Sequence, residues 1–256
     1  MTVDLEALLS GQVFAFMMIF ARIGTAFMLV PGIGEPYVPM RSRLLLALGV
    51  TLLLLPVLSP QIPQLPEQIG SLVRLLFIEI TIGLFFGTIL RFLLSALELA
   101  GTFVSFQIGL SNATLFNPAF ATQGTLPGAL LSSVGVLLLF YSGFGDMILG
   151  GMVGTYDVFK PGVMPVFEDM SDTIAHLLPK AFAIGTQMAI PFFLIGILMY
   201  VPIGIMNRLM PQLQVLFVAM PLQIGVGLAL FGMTISTMML FWLQQFGESL
   251  HGLTQR

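Results

Sequence analysis

Of the 256 residues, 57% are apolar and only 8% are charged, with a formal net charge of −3 and no cysteine. Soluble domains carry about 25% charged residues, and nine basic plus twelve acidic side chains cannot cover a soluble fold of this length. A soluble enzyme, a disordered chain, a disulfide scaffold and thiol chemistry are thereby excluded, and the absence of a basic cluster argues against nucleic acid as a partner. An integral membrane protein remains, with membrane lipid as its surroundings.

The chain begins with acidic residues, Asp4 and Glu6, before the apolar run Gly11–Pro31. About 20 helical residues cross a hydrocarbon core of ~30 Å, so this run reads as a retained transmembrane helix rather than a cleaved signal, which wants a basic start. Leu44–Leu58 is short for a span and contains Pro56. We expect it to be shortened at the proline and buried against protein. Ile69–Leu97 is a long apolar run. Gly101–Thr125 is uncharged but polar, with Gln107, Ser111, Asn112, Asn117, Pro118 and Gln123. Irregular backbone at membrane depth must be enclosed by protein or line a wet cavity. Leu126–Gly151 is apolar again. Thr155–Lys180 is the one clearly polar stretch, and Ser171 is placed to cap a short helix within it. Ala181–Met206 and Leu213–Leu243 follow, where Pro179, Pro191, Pro202, Pro211 and Pro221 recur. Those helices are expected to be kinked or broken. The pattern predicts an all-α polytopic membrane protein with up to six membrane-depth segments. Positive charge does not choose between its two orientations.

Chemistry-bearing constellations are few. Arg22, Glu79, Arg91 and Glu98 lie in or beside apolar runs, where an ionisable group is expensive and needs a partner or a wet cavity. Arg91 and Glu98 are about two helical turns apart, too far to pair directly. Partners on other helices or other chains are therefore expected, with an ion relay as the less favoured reading. Gly143-Phe144-Gly145-Asp146 matches the GxGD pattern of intramembrane aspartyl proteases, with Asp157 further on. A proton-sharing carboxylate pair needs neighbouring helices, and here the bland reading, a helix end at the interface, prevails. Gly109-Leu110-Ser111 has a faint likeness to a membrane serine protease, but no histidine lies in an apolar run to serve as its base, and there is no HExxH, GxSxG or phosphate-binding loop. Gly83 and Gly87, and Gly150 and Gly154, have the spacing that allows close helix approach.

Three stretches together resemble the FliR family of flagellar export-gate proteins and its injectisome counterparts, the SpaR/YscT group. The first is Ala21-Arg22-Ile23-Gly24 with Pro31-Gly32-Ile33-Gly34, Pro39 and Arg43. The second is Glu79, Gly83, Gly87, then Glu98-Leu99-Ala100-Gly101 and Gln107-Ile108-Gly109-Leu110-Ser111-Asn112-Ala113, closing at Asn117-Pro118. The third and most specific is Asn207-Arg208-Leu209-Met210-Pro211-Gln212-Leu213-Gln214-Val215, followed by Pro221-Leu222 and Gly225. Many members have an acidic residue where Asn117 stands.

The resemblance implies a non-enzymatic function without cofactors. Members assemble with FliP and FliQ into a helical, pore-bearing export gate in the inner-membrane basal body of the bacterial flagellum. The gate passes unfolded flagellar subunits, with FlhB and FlhA as further partners. By the same resemblance residues 1–179 are FliP-like, with a pore loop over 107–123 and a polar loop over 155–179. Residues 180–256 are a FliQ-like helical hairpin. The pore plug falls on Gln107, Leu110, Asn112, Leu115, Phe116, Asn117, Pro118 and Phe120. Arg22, Glu79, Arg91 and Glu98 are expected as buried charges or subunit contacts. Asn207, Arg208, Pro211 and Gln212 form the cytoplasmic tip of the hairpin. A small-solute secondary transporter is the reading from another class. It calls for paired inverted halves, and the sequence has no internal symmetry.

Overall fold

The computed structural model describes residues 5–112, 124–209 and 215–254. Among them the chain is almost entirely helical and has no strand. The helices are α1 (Leu5–Phe27), α2 (Met40–Leu58), α3 (Ile69–Gln107), α4 (Leu126–Tyr141), α5 (Phe144–Val158), α6 (Phe167–Leu209) and α7 (Val215–Thr254). Five of them are long and apolar enough to cross a membrane, and α4 with α5 would supply a sixth segment if the pair counts as one. Three are far longer than one crossing needs. At ~1.5 Å per residue, the 43 residues of α6 span about 65 Å, some twice the hydrocarbon thickness.

Several local expectations give way to the structure. Helix α2 starts at Met40, ahead of the apolar run, and continues through Pro56 to Leu58. Proline two residues from a helix end removes one hydrogen bond and no more. Its buried residues are Ala47, Thr51 and Leu58, while Leu45, Leu52, Leu53 and Val57 are exposed. It is therefore not enclosed within this chain. Ser171 caps nothing: it lies inside α6 and donates to the Glu168 carbonyl. Most of the expected polar loop is thus the first turns of α6, with Glu168 and Asp169 at its positive end. Pro179, Pro191 and Pro202 all lie inside α6, and Pro221 lies inside α7. Of the two outcomes expected there, a kink or a break, the break is excluded at these four prolines; at membrane depth freed backbone groups can be re-satisfied locally.

The chain forms two compact units. One comprises the residues up to Phe92 with Gly143–Leu177; the other comprises Leu93–Ser142 and the residues from Leu178 onward. Helices α3 and α6 contribute to both. In the first unit, α1 packs on α2 and on the start of α3. Gly83 lies on the Arg22 carbonyl and the Thr25 side chain, and Gly87 lies on Ala26 and Leu29. Phe14, Met18 and Leu75 form a buried cluster there. Gly150 and Gly154, which share the same spacing, have no such neighbour among the described residues.

In the second unit the end of α3 is ringed by α4, α6 and α7. Gly101 meets the α4 backbone at Gly128, and Gly185 of α6 meets the Ala96 carbonyl. Trp242 of α7, 1% exposed, donates its indole N–H to the Leu93 carbonyl at 2.9 Å. The α6 and α7 helices touch through Phe192 and Phe231, with ring centroids 6.2 Å apart. Thr125 caps α4, its hydroxyl oxygen accepting from the Gly128 N–H.

Candidate functional site

Arg22 lies in α1 and is 2% exposed. Its Nε donates to Glu79 Oε2 on α3 at 2.6 Å. Its Nη1 reaches the Thr155 carbonyl at 3.0 Å and the Thr155 hydroxyl at 3.3 Å; its Nη2 reaches the Phe159 carbonyl at 3.1 Å. Thr155 belongs to the last turn of α5 and Phe159 is its C-terminal cap residue. The Thr155 carbonyl already accepts from the Phe159 N–H at 2.8 Å, so Arg22 adds a second donor there, while the Phe159 carbonyl stands past the helix end, where the dipole is negative. The guanidinium therefore neutralises a buried carboxylate and caps a helix at once. It also stacks 3.9 Å from the centroid of the Tyr156 ring, a cation–π contact. The sequence suggested partners on other helices or other chains, and for this pair they are helices of the same chain.

A second pair fixes the α1–α2 connection. Arg91 Nη1 donates to Glu35 Oε1 at 2.6 Å, and Arg43 donates to the carbonyls of Glu35 and Val38 at 2.6 and 3.1 Å. The need for another subunit to neutralise Arg22, Glu79 or Arg91 is accordingly removed. Glu98 is exposed on α3 and its carbonyl accepts from the Thr102 hydroxyl.

The end of α3 is built with equal care. Gly109, at φ 78°, takes the left-handed conformation that stops a helix. Its N–H bonds the Phe106 carbonyl, and the Ile108 N–H bonds Val104. The Gln107 carbonyl accepts from Gln223 Nε2 of α7 at 2.8 Å. Leu110–Asn112 form one 3₁₀ turn, held by a 3.1 Å contact between the Ser105 and Ser111 hydroxyls. Leu110 is half-buried. Leu115, Phe116, Asn117, Pro118 and Phe120 lie outside the described residues, as do Pro211 and Gln212. Asn207 and Arg208 are exposed in the last turn of α6.

The GxGD match has a structural account. Asp146 is in the first turn of α5 and Asp157 is near its other end. About 16 Å of helix separates them, so they share no proton. Among the described residues no cluster of metal-ligating side chains occurs. Sequence reasoning missed Glu35, Thr155, Tyr156, Gln223 and Trp242. Trp242, the only tryptophan, and Gln223, a polar side chain inside a long uncharged run, were visible as oddities. Phe159 acts through its backbone carbonyl alone, and Thr155 through its carbonyl as well as its hydroxyl; a backbone atom carries no residue signature.

Residues 13–249 match the family model described as bacterial export proteins, family 1. The flagellar biosynthetic protein FliR of Caulobacter vibrioides is 30% identical over 240 residues, covering 93% of this chain and 95% of the relative. FliR of Bacillus subtilis is 28% identical, covering 83% and 82%. The Yop proteins translocation protein T of Yersinia pestis is 24% identical, covering 84% of each chain.

Proposed function

Because the chain belongs to the bacterial export proteins, family 1, we propose that it is a structural subunit of the flagellar protein export gate, assembled with FliP- and FliQ-like subunits around a conduit for unfolded flagellar proteins. Its place is the bacterial inner membrane, in the flagellar export apparatus and basal body. FlhB- and FlhA-like proteins are its further partners. It acts without an enzymatic step. The observation that carries this reading is the near full-length similarity to a flagellar biosynthetic protein. The flagellar system is preferred to the injectisome because the flagellar relative has the higher identity and coverage.

The physical features agree. Large apolar side chains are widely exposed, among them Leu53 at 76% and Met233 at 79%, and such a surface calls for lipid or partner helices. Residues 1–179 take the FliP-like role and residues 180–256 the FliQ-like role, with the hairpin tip at Asn207–Gln212 toward the cytoplasm. The segment 107–123 closes the conduit at rest. It is uncharged, so it neither holds an ion nor clings to a passing chain. Leu110, Leu115, Phe116 and Phe120 fill the lumen in this reading, and Asn112 and Asn117 satisfy nearby backbone.

Deleting several residues within Leu110–Phe120 tests the closing role. The gate should still assemble, as read by co-isolation of its subunits, and cells carrying it should leak ions and small dyes. Lost assembly, or an assembled gate that stays tight, would remove the plug assignment.

A further inference from the structure

The helix stop at Gln107–Gly109 is completed by a side chain from another helix. The left-handed glycine redirects the Gly109 N–H to Phe106, and the Gln107 carbonyl is left for an outside donor. Gln223 Nε2 supplies that donor from α7 at 2.8 Å, and Gln223 is only 4% exposed. Two glycines shape the same contact. Gly227, one turn beyond Gln223 on α7, leaves the space that Ile108 occupies, and Gly196 of α6 leaves the space for the Gln107 side chain. All of these residues belong to the second compact unit. Both arms of the α6–α7 hairpin therefore hold the last residues of α3.

We propose that Gln223 is a positioning residue, a latch by which the α6–α7 hairpin fixes where α3 ends and the following segment begins. A buried amide whose partner is withdrawn loses its hydrogen bond without gaining water, so the latch is either fully made or strained. A movement of the hairpin is then transmitted to the end of α3 through one hydrogen bond and one glycine-floored contact. The consequence for the conduit rests on the pore-segment reading given above; the latch itself rests on the α3 terminus alone.

Hydrogen exchange of the chain, isolated with its natural membrane partners, tests the latch. Gln223→Met keeps the shape and removes the donor. Gln223→Leu likewise removes the donor at similar bulk. Gly227→Ala presses on Ile108. Each should speed exchange of the amides at 108–112 by about tenfold, a typical consequence of losing one buried hydrogen bond, while the middle of α7 near Trp242 keeps its protection. Thr234→Val, which removes only a bond to its own helix, should leave 108–112 unchanged. Unaltered exchange at 108–112 in all three variants would overturn the latch, as would equal loosening along the whole of α3 and α7. Ion leak is read separately in the same cells. Local loosening without leak supports the latch and removes the plug reading, whereas leak without local loosening removes the latch.

Discussion

Replacing either Glu79 or Arg22 by alanine should deplete the chain from the membrane fraction more severely than truncating any other polar side chain. Glu79 is 0% exposed and Arg22 is 2% exposed. Removing one partner of a buried ion pair leaves a charge with neither water nor counterion, at about 3–5 kcal/mol. That is a large fraction of the margin of a folded protein. Arg22→Ala should be as harmful, because it also uncaps α5 at Thr155 and Phe159. Glu79→Gln should be milder, since an amide oxygen still accepts from the guanidinium. A double change to Arg22→Met and Glu79→Leu should recover part of the loss, since an apolar pair strands no charge. Immunoblots of the membrane fraction and thermal melting in detergent would measure the order. Wild-type abundance and melting for Glu79→Ala would show that the pair is not made in the assembled protein.

Gly101→Val should be the most damaging packing change. A Cβ at Gly101 would collide with the Cα and N of Gly128 and approach the Pro127 carbonyl carbon at 2.7 Å. All three are main-chain atoms, so no rotamer can give way and α4 must move off α3. Overpacking a core costs about 1–3 kcal/mol where side chains can adjust, and this site offers no such relief. Gly150→Ala and Gly154→Ala are the matched controls. Among the described residues nothing lies within 4 Å of a Cβ at either position, and alanine favours a helix by about 1 kcal/mol over glycine. Abundance and melting temperature should therefore fall for Gly101→Val and hold or rise for the two controls.

These sites show what the sequence discloses and what it withholds. Charge spacing and apolar run length revealed the helical membrane class, because both are one-dimensional quantities. The rarity of Arg22 and Glu79 in apolar surroundings marked them as paired. Their distance of 57 positions along the chain hid the fact that they pair with each other. Glu35 escaped notice because it stands in a turn before a proline, where a carboxylate looks solvated. Gly83 and Gly150 carry the same spacing signal, yet only Gly83 has a helix against it; the difference is tertiary. Pro179, Pro191 and Pro202 left two outcomes open, a kink or a break, and sequence could not choose; the helix runs on through all three, since freed backbone groups at membrane depth can be re-satisfied locally. The family motif at Asn207–Val215 was legible, but motifs name a relationship and not the contacts that hold it.

If this chain is one subunit of a multi-subunit gate, as proposed, it should leave the membrane together with the others. Affinity isolation of the tagged chain from native membranes in mild detergent, followed by mass spectrometry of what remains bound, tests it most directly. The expected result is a stable complex containing FliP- and FliQ-like proteins, with the chain aggregating when it is produced without them. A monodisperse monomer, purified without those proteins and still restoring flagellar assembly when it is the only form supplied and no such proteins are present, would contradict it.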